Sequence, residues 1–172
     1  MNDRLKKLVT AAVLAAITTV ATMIIKIPTI GTAGYVNIGD SAVLISAWLL
    51  GNPYGALAAA VGSGLADLLS GYPLYIPGTA IIKFLMAFVC APVCTRLSKR
   101  LPMAAAYLIS SVAAEVIMVA GYFLYESTVL GYGIAASASI ISNAVQAVVC
   151  TVIGNVVILL FEKKHFFGLQ RY

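Results

Sequence analysis

Five side chains within otherwise apolar stretches have the types to do chemistry: Asp67, Lys83, Glu115, Asn143 and Gln146. Each carboxamide offers both a donor and an acceptor, the complement of a polar heterocycle. Asn143 and Gln146 are three apart and so share one helix face. An ionisable group inside a membrane-spanning bundle costs about 2.5–3.5 kcal/mol on insertion scales, so each needs a partner or a task. Mutual neutralisation of Asp67 and Lys83 would lock two helices together. Interhelical hydrogen bonding would serve Asn143 and Gln146. Glu115 has no equally obvious structural need, and with Asp67 it could form a carboxylate pair for acid–base work or proton relay.

The elements that position them follow from composition. Of 172 residues, 62% are hydrophobic and 10% charged, and mean hydropathy is +1.01. Soluble domains carry about 45–50% apolar and about 25% charged residues, so the solvent here is lipid. Residues 1–172 read as one integral membrane domain, all-α, with six transmembrane helices over roughly 8–25, 40–51, 54–71, 78–95, 103–125 and 137–161. The second is too short to span alone and must border irregular structure shielded by protein or facing water. Asn52-Pro53, Gly71-Tyr72-Pro73, Pro77-Gly78 and Pro102 punctuate the helices.

Nine of the eleven basic residues fall on one side of such a bundle: Arg4, Lys6, Lys7, Arg96, Lys99, Arg100, Lys163, Lys164 and Arg171. Lys26 lies opposite and Lys83 within a helix. The positive-inside rule then places both termini in the cytoplasm, and the basic balance gives no reason to expect nucleic acid. The basic start and apolar run of the N-terminus read as a retained helix, since no small-x-small cleavage site follows.

With this topology, Asp67, Lys83, Glu115, Asn143 and Gln146 all fall in the outer half of the membrane, at 1.5 Å of rise per residue. Convergence from four helices suggests one polar pocket opening outward; Asn155 lies deeper and reads as packing. The segment from Lys26 to Gly39, with Tyr35 and Asn37, is material for a lid. Asp40 reads as the N-cap of the second helix. Tyr72, Tyr75, Tyr122 and Tyr125 lie near the outer boundary, where most would form an aromatic belt and one or two could stack on a flat ligand. On the first helix, Ala11, Ala12, Ala15 and Ala16 are small residues four apart, suited to close helix contact within the protein or with a partner.

The chain has no HExxH, GxSxG or GxxxxGK[ST] sequence, so it reads as no enzyme and as unable to hydrolyse ATP itself. Its single histidine, His165, is in the C-terminal tail. Cys90, Cys94 and Cys150 read as small apolar packing residues, and neither a metal nor a cofactor is expected.

Ala11 to Ala15 and Ala12 to Ala16, Asn37-Ile38-Gly39-Asp40, Gly51-Asn52-Pro53-Tyr54-Gly55-Ala56-Leu57, Gly62-Ser63-Gly64-Leu65-Ala66-Asp67-Leu68-Leu69-Ser70-Gly71 and Ile81-Ile82-Lys83 together resemble the S components of energy-coupling factor (ECF) transporters. The resemblance covers essentially the whole chain and is strongest over 37–83. It implies a six-helix protein of the bacterial cell membrane that holds one vitamin-like molecule near its outer face. It also implies a partner complex, made of a transmembrane coupling protein and two cytoplasmic ATPases. The small-residue face, here Ala11, Ala12, Ala15 and Ala16, would meet the coupling protein. Substrate contacts expected on this basis are Lys83, Glu115, Asn143, Gln146, Tyr35, Asn37, Tyr75 and Tyr122, with Asp40 and Asp67 structural. A pyridoxine-like or hydroxymethylpyrimidine-like ligand is favoured, and the rival class is a self-sufficient carrier or channel coupling protons through Asp67 and Glu115.

Overall fold

A computed structural model describes residues 2–29 and 31–163; Lys164, His165 and Arg171 lie outside the described residues. Six helices form an all-α membrane protein: α1 (Asp3–Ile24), α2 (Gly39–Leu50), α3 (Tyr54–Ser70), α4 (Ile76–Leu97), α5 (Met103–Leu124) and α6 (Ser137–Lys163). Between α1 and α2 the chain makes a short antiparallel ribbon of β1 (Lys26–Pro28) and β2 (Tyr35–Asn37), with Ile27 opposite Val36. The helices containing α1, α4, α5 and α6 are long and apolar enough to cross a membrane, whereas α2 and α3 are shorter. At 1.5 Å per residue the 12 residues of α2 reach about 18 Å, against a hydrocarbon core of about 30 Å. The ribbon and its loop fill the difference, which is the irregular structure the sequence demanded.

Glycine and proline set the joints. Gly51 ends α2 at φ +61° and Gly71 ends α3 at φ +81°, conformations that a side chain would strain. After Gly71, the amide of Tyr72 returns to the carbonyl of Asp67 at 2.9 Å, closing the last turn of α3. Pro102 sits at the N-cap of α5. Beyond Leu124 that helix widens into a π-turn over Tyr125–Val129, and a 3₁₀ turn over Gly133–Ala136 leads into α6.

The interior helix is α2, which packs against α1, α3, α4 and α6. A helix apolar on all sides belongs inside, and Val43, Leu44 and Ala47 are buried in one core with Met86, Cys90, Ala114 and Met118. Small residues on α3 permit the tight packing. A Cβ on Gly55 would lie 2.4 Å from the carbonyl oxygen of Ser46, and one on Gly62 would lie 2.5 Å from that of Ala15. The second approach also lets Thr19 Oγ1 donate to the Gly62 carbonyl at 2.8 Å. Gly62→Ala should therefore wedge α1 from α3 and cost about 1–3 kcal/mol, read as a lowered melting temperature in detergent. Gly64→Ala, two residues on, meets only ordinary contacts at 3.8 Å; it should be neutral or raise stability by up to about 1 kcal/mol through helix propensity.

Pro92 lies inside α4 and has no N–H to offer the carbonyl of Phe88, one turn back. The side chain of Asn52, in the α2–α3 joint, donates to that carbonyl at 2.8 Å. This contact lies at the end of the bundle that carries Arg4, Lys6, Lys7, Arg96, Lys99, Arg100 and Lys163 at helix ends or turns. Tyr107 Oη donates to Glu162 at 2.7 Å near the same end. The ribbon, the α3–α4 turn and the α5–α6 turn gather at the opposite end.

Candidate functional site

Beneath the ribbon lies a buried polar knot. Gly39 makes room for it, because a Cβ there would come within 2.0 Å of Thr22 Oγ1, so α2 begins hard against α1. Asp40 follows in the first turn of α2, wholly buried, and its Oδ1 pairs with Lys83 Nζ from α4 at 2.5 Å. Its Oδ2 accepts from Gln146 Nε2 of α6 at 2.6 Å. The other end of that carboxamide accepts from the Asn37 amide at 2.6 Å, so both partners agree on one orientation of the side chain. Lys83 Nζ also lies 5.0 Å from the centre of the Tyr122 ring, within cation–π range. Glu115, buried on α5, interacts electrostatically with Asp40 and Lys83.

Two expectations are corrected by this geometry. The ion-pair partner of Lys83 is Asp40, not Asp67. Nor does Asp40 cap α2: it is the second residue of the helix, whose N-cap position is Ile38, and its two oxygens go to Lys83 and Gln146, while Asn37 Oδ1 accepts from the Gly39 amide at 2.7 Å. Asn155, expected to pack, bonds Ser111 and the Thr151 carbonyl.

Between the knot and the ribbon is a narrow cavity of about 20 Å³. Tyr35, Asn37, Tyr75, Lys83, Tyr122 and Asn143 line it as expected. It is also lined by Thr22, Thr29, Gly34, Ser63, Asp67, Thr79 and Glu126. Tyr35 Oη donates to Asp67 Oδ1 at 2.6 Å. Tyr75 Oη donates to Glu126 Oε1 at 3.0 Å, and Ser139 Oγ to Glu126 Oε2 at 2.5 Å. Burial first, and then the Asp67 carboxylate, holds the Tyr35 phenol well above its ordinary range. Burial and the Glu126 charge do the same for Tyr75. Both hydroxyls are thus donors across the working pH range.

Four tyrosines form a run of rings at this end of the bundle, with centres 4.6 Å apart for Tyr35 and Tyr72, 6.4 Å for Tyr72 and Tyr75, and 6.3 Å for Tyr75 and Tyr125; of these, Tyr35 and Tyr75 line the cavity, together with Tyr122. The ribbon is latched by Tyr35, by the Ala33 amide to Tyr132 Oη at 3.2 Å, and by Lys26 Nζ to Ser70 Oγ at 3.0 Å. Gly34 passes close to Glu126 and Tyr75, each 3.1 Å from where its Cβ would be.

Two expected contacts, Gln146 and Glu115, are absent from the cavity wall; both belong to the knot below. Asp67, expected as structural, lies on the wall. The residue that sequence reasoning passed over is Glu126, because it falls past the point where the fifth span was expected to end. Its signal was Tyr122, one helical turn earlier on the same face.

On α1 the small-residue stripe divides. Ala15 is buried and Ala11 half-buried, both packed with Leu14 against Ala58 and the end of α2. Ala12 and Ala16 point outward, beside the exposed Val13, Ile17 and Val20.

Comparison with known proteins adds three findings. The family model described as the S component of ECF-type riboflavin transporters matches residues 2–163. A protein of Pyrococcus woesei, described as an uncharacterized protein in a gap 3′ region, is 32% identical over 146 residues, covering 85% of this chain and 95% of that one. A solved structure of the S component of a bacterial ECF transporter superposes with a TM-score of 0.67 over 97% of this chain and 99% of that one. At 20% identity, this is a likeness of fold.

Proposed function

Because the chain belongs to the S component family of ECF-type riboflavin transporters, we propose that it captures a small heteroaromatic vitamin or vitamin precursor in the cavity under the ribbon. As an S component it is the substrate-binding membrane subunit of a transporter, not an enzyme. The energy comes from the family's coupling protein and ATPases. The observation that carries the reading is the cavity itself: Tyr35, Tyr75 and Tyr122 for a flat ring, surrounded by donors and acceptors from five helices and the ribbon. A ring of pyridoxine or hydroxymethylpyrimidine size asks least of so narrow a space. Riboflavin is the second reading, favoured by the description of the family.

In this proposal both termini and the basic end face the cytoplasm, and the ribbon end faces outward in the cell membrane. Entry of a ligand requires release of the Tyr35, Ala33 and Lys26 latches, and its contacts then offset the entropy of re-ordering the loop. The loaded protein docks on the coupling protein through the outward face of α1.

Mass spectrometry of the molecule co-purified with detergent-solubilised protein tests the binding claim. A stoichiometric small heteroaromatic is expected, and a flavin would show its visible absorbance. Liposomes containing this chain alone should exchange but not accumulate that molecule. Accumulation driven by a proton gradient would instead establish a self-sufficient carrier working through Asp67 and Glu115.

A further inference from the structure

We propose that the Ser63–Asp67 face of α3 is a binding subsite for a hydrogen-bond donor of the transported molecule, and that the site admits neutral or cationic molecules while rejecting anionic ones. The inference rests on the vitamin-binding reading above and assigns the polarity of its ligand.

Ser63 and Asp67 are one turn apart and both line the cavity. They are 1% and 3% exposed. Ser63 Oγ has no hydrogen-bond partner in the protein and Asp67 Oδ2 none of good geometry, the nearest hydroxyl to that carboxyl besides Tyr35 being Thr79, which is bonded to Tyr122; buried polar groups are nearly always bonded. The partner of Asp67 Oδ1, Tyr35 Oη, comes from the ribbon that must move for entry. A carboxylate accepts and cannot donate, so the group it takes from a ligand is an N–H, an O–H or a cationic nitrogen.

The charge around the cavity points the same way. Four of the six acidic residues, Asp40, Asp67, Glu115 and Glu126, are buried at or beneath it, against one buried base among the described residues, Lys83. Lys83 is already paired with Asp40, and Lys26 at the rim is exposed and bonded to Ser70. A phosphate or carboxylate entering here would sit among buried acidic groups and, among the described residues, find no uncommitted cation at the cavity to receive it.

The test is equilibrium binding to the purified full chain in nanodiscs, using two probe pairs: pyridoxine with its 5′-phosphate, and riboflavin with its 5′-phosphate. In the pair that binds, the phosphate ester should be weaker by about 30-fold or more. Asp67→Asn should weaken the neutral probe by about tenfold or more, as loss of a charge-assisted bond requires, and should narrow the gap to the ester. Tyr35→Phe separates binding from loop-holding: its loss should be smaller than that of Asp67→Asn. Equal losses in the two variants, or an ester that binds as tightly as its parent, overturn the subsite while leaving vitamin binding intact. If Asp67→Asn cannot be recovered folded, Ser63→Ala decides. Weaker binding at an unchanged melting temperature supports the subsite, and unchanged binding overturns it. Folded wild-type protein that binds neither pair and carries no co-purified molecule would overturn the binding reading and the subsite together.

Discussion

Lys83→Met should cost the bundle about 3–5 kcal/mol, the usual penalty for stranding one half of a buried ion pair. The Asp40 carboxylate would be left wholly buried with Gln146 as its remaining partner. Because Asp40 opens α2 and Lys83 lies on α4, the loss falls on the interior helix that touches four others. Asp40→Asn alone should cost less, because Glu115 and the Tyr122 ring remain beside the ammonium. The double variant Lys83→Met with Asp40→Asn should recover part of the stability, since the ion pair is gone and Gln146 still faces an amide, with Glu115 left as the acidic group of the knot. Thermal unfolding in detergent, followed by loss of helical circular dichroism, gives all three values. A Lys83→Met protein that melts like the wild type would show that α2 is held by apolar packing alone.

Replacing Ala12 or Ala16 with tryptophan should abolish ATP-driven uptake, by tenfold or more, while ligand binding by the isolated subunit is unchanged. Both alanines lie on the outward face of α1, where a large side chain disturbs nothing inside the protein but keeps another helix at a distance. A tenfold loss needs only about 1.4 kcal/mol of docking energy, well within what one misplaced indole removes. Ala15→Trp is the contrasting case. Ala15 is buried at the contact with Gly62, so that variant should fail to fold. Uptake and binding measured on the same preparations separate the two faces. Equal loss of binding and uptake in the Ala12 and Ala16 variants would assign the face to internal packing.

The helices were legible because lipid demands long apolar runs and Pro and Gly end them. Six spans drawn from those rules fall on α1 to α6, and the short second span is short in three dimensions too. The site was legible only as a depth. Lys83, Asn143, Tyr35, Asn37, Tyr75 and Tyr122 do converge on one cavity, but periodicity carries no information on which polar groups pair with which. Asp40 read as a cap because capping is a local rule. Its actual partners, Lys83 and Gln146, are 43 and 106 residues away, as 83 − 40 and 146 − 40 show. Glu126 was missed because the π-turn prolongs α5 beyond any boundary that hydropathy marks. The division of the alanine stripe into Ala11 and Ala15 inside, Ala12 and Ala16 outside, depends on how α1 is rotated against α3, and that is set by Gly62 on the other helix.

The contact of Asn52 with the Phe88 carbonyl also constrains the history open to this chain. Pro92 leaves the Phe88 carbonyl without its helical donor, and Asn52 serves it. A lineage could exchange Pro92 first, because any other residue restores the N–H and makes the asparagine dispensable. The reverse order passes through an intermediate with an unserved carbonyl. The two positions, 40 apart in the sequence, are therefore coupled in one direction: Asn52 matters to α4 only while Pro92 is present, and Pro92 does not depend on being kept for the sake of Asn52.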